Sequence, residues 1–172
     1  MSTSSAALPK EKQTVLKLYV TAREAYEKWK SEPETVRILD VRTPEEYLFT
    51  GHPLMAWKIP LAAQTYAWDA AKEQFPMKLT SDFVARVKEI AKPGDTLFVM
   101  CRSGGRSAIA ANLLAKAGFT HVYNIVDGME GDVVEDPESV FVGQRMKNGW
   151  KNSGCPWTYA LTPDRMLLST AR

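Results

Sequence analysis

A chain of 172 residues with 45% hydrophobic and 24% charged side chains has the size and balance of one globular domain with its own core, so it needs no disulfide framework to fold. The formal net charge is +2, with 22 Lys and Arg scattered among 20 Asp and Glu, which excludes the one-sided basic field that nucleic acid attracts. No apolar run approaches the roughly 18 residues that span a bilayer, and "MSTSSAALPKEKQ" lacks the basic start and apolar stretch of a secretory leader. A soluble, cytoplasmic protein is expected, with neither nucleic acid nor membrane as a partner.

Residues 1–14 read as a flexible N-terminal segment. "VLKLYV" (15–20) predicts a first strand, and Thr21 follows as the N-cap of a helix through "AREAYEKWK", with Glu24 placed to close a capping box. "VRILDV" (36–41) predicts the second strand. In "RTPEEY", Pro44 suits the first turn of a short helix and Glu45 and Glu46 its positive end; "GHP" (51–53) breaks it. "AWKIPL" (56–61) reads as a brief strand stopped by Pro60, followed by a polar connection. In "TSDFVARVKEIAKPGD", Phe83, Val84, Val87 and Ile90 fall at helical spacing before Pro93 and Gly94 end the segment. "TLFVM" (96–100), apolar throughout and bounded by turn signals, has the form of a central parallel strand covered on both faces. "SAIAANLLAKAGF" (107–119) predicts an alanine-rich helix with Ile109, Leu113 and Leu114 toward the core and Gly118 as its stop. "HVYNIV" (121–126) returns as the fifth strand.

Repeated strand and helix units imply an α/β domain over residues 15–128. Its sheet is central, mostly parallel and five-stranded, flanked by helices on both faces, because parallel neighbours need crossover helices. Residues 129–172, of mixed polarity and carrying Trp150 and Trp157, predict an extension wrapping the same domain as a short helix and an extended tail.

Two cysteines far apart in sequence, Cys101 and Cys155, do not make the framework of a small secreted protein; a reduced, reactive thiol fits better. The two histidines, His52 and His121, stand at no metal-ligand spacing from a cysteine or carboxylate pair, so neither a metal nor another cofactor is expected. The chemistry concentrates in "VMCRSGGRS" (99–107). Cys101 ends a buried parallel strand just before a helix, at the carboxyl edge where open α/β sheets collect ligands. Gly104 and Gly105 allow the loop to curl and turn successive N–H groups inward as an anion-binding nest. A helix starting near Ser107 adds its positive end, and Arg102 and Arg106 add formal charge. Together these favour a thiolate, the nucleophilic form of cysteine. Position alone fits a small, inert turn cysteine equally well; the glycines, arginines and helix start decide for reactivity. Arg102 is as readily a solvated surface charge.

"ILDVRTPEEYLFTGH", "IPL", "VMCRSGGRSAIAANLLAKAGF" and "VYNIVDGMEGD" together resemble the signature segments of the single-domain rhodanese family, the rhodanese-like sulfurtransferases. The resemblance implies a cysteine that takes the outer sulfur of a donor such as thiosulfate, holds it as a persulfide and passes it to cyanide or a cellular thiol, a thiol-bearing protein included. Cys101 matches the family's catalytic position; Arg102, Ser103, Gly104, Gly105 and Arg106 match its loop, with Ser107 next. Thiolate attack on sulfane sulfur releases sulfite with no proton removed from the nucleophile, which suits a cysteine with no histidine beside it.

Cysteine-dependent phosphatases and arsenate reductases are the rival enzymes. Phosphatases use a C-x5-R loop whose arginine clamps oxyanion oxygens; here the arginine comes at C-x4-R, a smaller ring that favours sulfur. A sulfur-carrier or partner-docking module is the third reading, since carrying and transferring use the same persulfide. Asp40 and Arg42, in the family's "DVR" motif, read as an ion pair or turn that braces neighbouring loops, and His52 as a loop-fixing hydrogen-bond donor. Glu45 and Glu46 read as helix-start charges, and Trp57, Trp150 and Trp157 as core or tail-anchoring aromatics. Cys155, in "SGCPW", reads as a small apolar filler; the alternative is a thiol that resolves a persulfide on Cys101.

Overall fold

The expected central strand, Thr96–Met100, has parallel neighbours on both sides, and alternation along it sets the layering. The computed structural model describes residues 8–170. Its elements run β1 (Tyr19–Val20), α1 (Ala22–Ser31), β2 (Val36–Asp40), α2 (Pro44–Thr50), β3 (Trp57–Lys58), β4 (Ala62–Gln64), β5 (Met77–Leu79), α3 (Phe83–Ile90), β6 (Thr96–Met100), α4 (Gly105–Lys116) and β7 (His121–Ile125). The main sheet has the order β1-β7-β6-β2-β3, parallel throughout, as the α/β reading requires.

Successive strand residues face opposite sides of a sheet. Leu97, Val99 and then Cys101 enter a core built with Phe83 and Val87 of α3 and Ala110, Ala111 and Leu114 of α4. Phe98 and Met100 enter a second core with Ala22 and Ala25 of α1. Helices therefore cover both faces. At the start of α1 the predicted capping box forms: Glu24 Oε2 accepts the Thr21 N–H at 2.7 Å, while the Glu24 N–H donates to Thr21 Oγ1 at 3.3 Å. Gly118, at φ 97°, stands just past α4 as the expected stop.

Several expectations are corrected. The first strand is confined to Tyr19–Val20, because residues 14–17 form a turn closed by the Lys17 N–H on Thr14 O, leaving Val15 exposed. The connection after Pro60 contains an antiparallel hairpin of β4 and β5, whose second strand is exposed throughout, so its short apolar alternation faces no core. In α4, Ile109 is 47% exposed. Leu114 is fully buried and Leu113 packs against the same core, as expected, while Ser107, Ala110 and Ala111 complete the inward stripe with small side chains that let the helix lie close to the sheet.

Residues 8–14, read from the sequence as part of a flexible segment, pack on the domain: Lys12 and Thr14 are buried, and Lys12 Nζ donates to Val126 O at 2.8 Å and pairs with Asp132 at 2.7 Å. Residues 1–7 of that segment lie outside the described residues. The extension contains no α-helix among the described residues, only three-residue 3-10 turns at Lys151–Ser153 and Pro163–Arg165; Gly154 at φ 70° and Pro156 stop any longer run. It is tied down by exchange of backbone hydrogen bonds between His52 and Thr158, by the Leu167 N–H on Lys58 O and by fully buried Trp150. No helix among the described residues is long and apolar enough to cross a membrane.

Candidate functional site

β6 delivers Cys101 to the carboxyl edge of the sheet, and the next three residues turn back over it. Gly104, at φ 104°, lets its own N–H donate to Cys101 Sγ at 3.1 Å. A Cβ there would meet Val126 O at 2.5 Å, so conformation and space both call for glycine. α4 then starts at Gly105, two residues before the expected position. Ser107, in its first turn, holds Oγ 3.3 Å from Cys101 Sγ and 2.6 Å from Asn124 Oδ1.

The expected nest is corrected in three respects. Among the described residues one loop amide, that of Gly104, donates to the sulfur, and Cys101 is only 2% exposed. Nor is the charge of Arg106 free: its Nη1 and Nη2 grip both oxygens of Glu46 at 2.7 Å each. Glu46 also accepts the Thr43 N–H at 3.0 Å, so this helix-start residue ties α2 to the loop. Burial alone would raise the Glu46 carboxyl, but the Arg106 fork and the Thr43 amide outweigh it and hold Glu46 below the usual carboxylate range. Arg102 is exposed. Ser103 and Gly105 line, with Lys12, Asp127 and Asp132, a groove of about 670 Å³ on the flank of the loop, and Cys101 is not in its wall.

The first residues of the extension clamp the loop from behind, Met129 N–H donating to Cys101 O at 2.9 Å and Glu130 N–H to Arg102 O at 3.0 Å. Asp40 and Arg42 lie apart from the sulfur as a fully buried pair. Arg42 Nε and Nη2 hold the two Asp40 oxygens at 2.9 and 2.6 Å, and Arg42 also donates to Thr50 Oγ1 and Gly51 O. This is a brace between β2 and the end of α2. His52 is fully buried, its Nδ1 facing Pro53 O at 3.3 Å and its backbone bound to Thr158; burial, then nearby Lys58, lower its pKa. The structure thus gathers Cys101, Gly104, Arg106 and Ser107, while Asp40, Arg42 and His52 serve the frame.

Three contributors escaped the sequence. Asn124 is fully buried in β7, and its Nδ2 donates to Lys12 O and Gly104 O at 2.9 Å each. One amide inside the apolar run "HVYNIV" was the available signal. Glu46 and Lys12 reach the loop across long sequence separations and left none.

The family model described as Rhodanese-like domain matches residues 21–133, and the chain belongs to that family. Uncharacterized protein RP600 of Rickettsia prowazekii (strain Madrid E) is 31% identical over 122 residues, 71% of this chain and 82% of its own. Thiosulfate sulfurtransferase 16, chloroplastic, of Arabidopsis thaliana is 38% identical over 92 residues, 54% of this chain and 69% of its own. The crystal structure of Rv0390 from M. tuberculosis superposes with a TM-score of 0.63 at 27% identity, over 82% of this chain and 96% of that one.

Proposed function

We propose that the protein is a sulfurtransferase in which Cys101 carries sulfane sulfur as a persulfide. The observation that bears most weight is the donor pair on the sulfur: a main-chain N–H fixed by the Gly104 turn and a buried hydroxyl in the first turn of α4. A cysteine that only filled space would need neither contact. In the proposed cycle the Cys101 thiolate attacks the outer sulfur of thiosulfate, the S–S bond of the donor breaks, and sulfite leaves with the bonding pair. Cyanide or a thiolate then attacks the outer sulfur of the persulfide, the new S–S bond breaks, and the Cys101 thiolate is restored. The negative outer sulfur needs donors larger in reach than the resting sulfur does. The first amides of α4, which precede any intrahelical acceptor, are those nearest in sequence.

The 2% exposure of Cys101 favours donors that present sulfur at a narrow tip, as a thiosulfate-like anion does, and a protein partner would have to offer its thiol the same way. It also favours one rival, a packed and unreactive thiol in a docking module. The phosphatase reading is weaker: Arg106, the residue that would clamp an oxyanion, already spends both its terminal nitrogens on Glu46.

Steady-state assay separates these readings. The expected result is repeated turnover of thiosulfate with cyanide or a thiol, lost in Cys101→Ser, and no Cys101-dependent hydrolysis of an aryl phosphate. A single loading without turnover would indicate a carrier, and no loading at all the docking module.

A further inference from the structure

The Ser107 hydroxyl has one proton and two acceptors within reach. Asn124 Oδ1 is at 2.6 Å and Cys101 Sγ at 3.3 Å, so in the resting arrangement the shorter contact takes the proton and Ser107 Oγ can accept from the Cys101 S–H. Asn124 cannot turn its amide around to relieve this, because its Nδ2 is committed to the carbonyls of Lys12 and Gly104. All three side chains are buried, so water does not supply a substitute proton at no cost.

We infer that Asn124 is a positioning residue that holds back ionisation of Cys101 by competing with its sulfur for the Ser107 proton. When the thiol proton leaves to solvent, the Ser107 hydroxyl rotates from Asn124 to the thiolate, and Asn124 Oδ1 loses its donor. Ionisation is thereby coupled to a hydroxyl switch between β7 and the loop. When an outer sulfur is added and the charge moves outward, the hydroxyl returns to Asn124, so the pair responds to whether the cysteine is loaded. The surrounding charges stay fixed through this exchange. Arg106 of α4, which faces Cys101, is matched by Glu46 of α2, Asp40 of β2 by Arg42, and Lys12 beside Gly104 by Asp132; Arg102 is exposed.

The inference rests on Cys101 being the nucleophile proposed above, but its test needs no sulfur donor. Cys101 is alkylated with iodoacetamide across a pH series in the full chain, the site being read by peptide mass, in wild type, Asn124→Ala, Ser107→Ala and the double variant. Removing the competing acceptor is expected to lower the pH midpoint by roughly half a unit to one unit when Ser107 is present, the worth of one hydrogen bond. With alanine at 107 the same substitution is expected to leave the midpoint unchanged. Asn124→Val, which suits a central strand and likewise offers no acceptor, repeats the measurement if the alanine variant fails to fold. An equal shift in both backgrounds, or none with Ser107 present, overturns the coupling alone. A Cys101 that resists alkylation at every pH in every variant overturns the proposed nucleophile as well.

Discussion

Lys58 carries an ammonium group into the interior with no carboxylate in contact among the described residues. It is fully buried at the end of β3, and its Nζ donates to Ala56 O at 3.2 Å and Thr162 Oγ1 at 2.5 Å. Burial lowers its pKa to about 8, with Asp40 opposing the shift. The folded value is thus depressed below the ordinary 10.5. Below pH 8 both states are protonated and the burial penalty is present in full. Between 8 and 10.5 the unfolded chain holds the extra proton, so stability rises with pH. Lys58→Met keeps the stem and removes the charge. It is expected to stabilise the protein below pH 8 by about 2 kcal/mol, net of the lost hydrogen bonds, and this advantage should fade as pH climbs to 10.5. Urea unfolding of both proteins across that window measures it, and a pH-independent difference would count against the account. Arg42 solves the same burial problem differently, by an opposed carboxylate within its own "DVR" motif, which is why its role as a brace was legible and that of Lys58 was not. Asn124 and Glu46 were illegible for the same reason: their partners lie on other elements, and a single sequence does not state which elements meet.

Strands and helices whose pattern is set by burial were legible, those set by local or surface geometry were not. β2, β6 and β7 are apolar runs because they lie inside a sheet covered on both faces; α1 announces itself through Thr21 with a glutamate three residues on, and α2 through Pro44 and two acidic residues in its first turn. The β4–β5 hairpin carries exposed Met77 and Leu79, so its alternation has no core to answer to. In α4 the expected inward positions of Leu114 and Leu113 hold, but close packing on the sheet gives the rest of that face to serine and alanine and leaves Ile109 to solvent. The contrast is measurable. Leu114→Ala, at a fully buried position, is expected to cost about 2–5 kcal/mol, and Ile109→Ala less than about 0.5 kcal/mol, by chemical denaturation. Equal costs at the two positions would mean that the helix is rotated relative to the face described.

The sheet divides the two cysteines. Cys101 belongs to the core under α3 and α4, Cys155 to the core under α1 together with Trp150. Burial pushes the Cys155 thiol up to about 11, so it remains protonated near neutral pH and is a poor nucleophile. The filler reading of Cys155 therefore fits the architecture, and oxidation of the native protein is expected to give no intramolecular disulfide on non-reducing peptide mapping. A Cys101–Cys155 link formed without unfolding would contradict the layering itself. The extension that carries Cys155 also clamps the loop through Met129 and Glu130, so both the sheet and the extension fix the backbone that presents Cys101. Intact-mass measurement after exposure to thiosulfate tests the Cys101 persulfide most directly. The account predicts that the wild type gains the mass of one sulfur atom, that cyanide removes it, and that Cys101→Ser gains nothing. A wild type that never takes up the mass, or a Cys101→Ser variant that does, would contradict it.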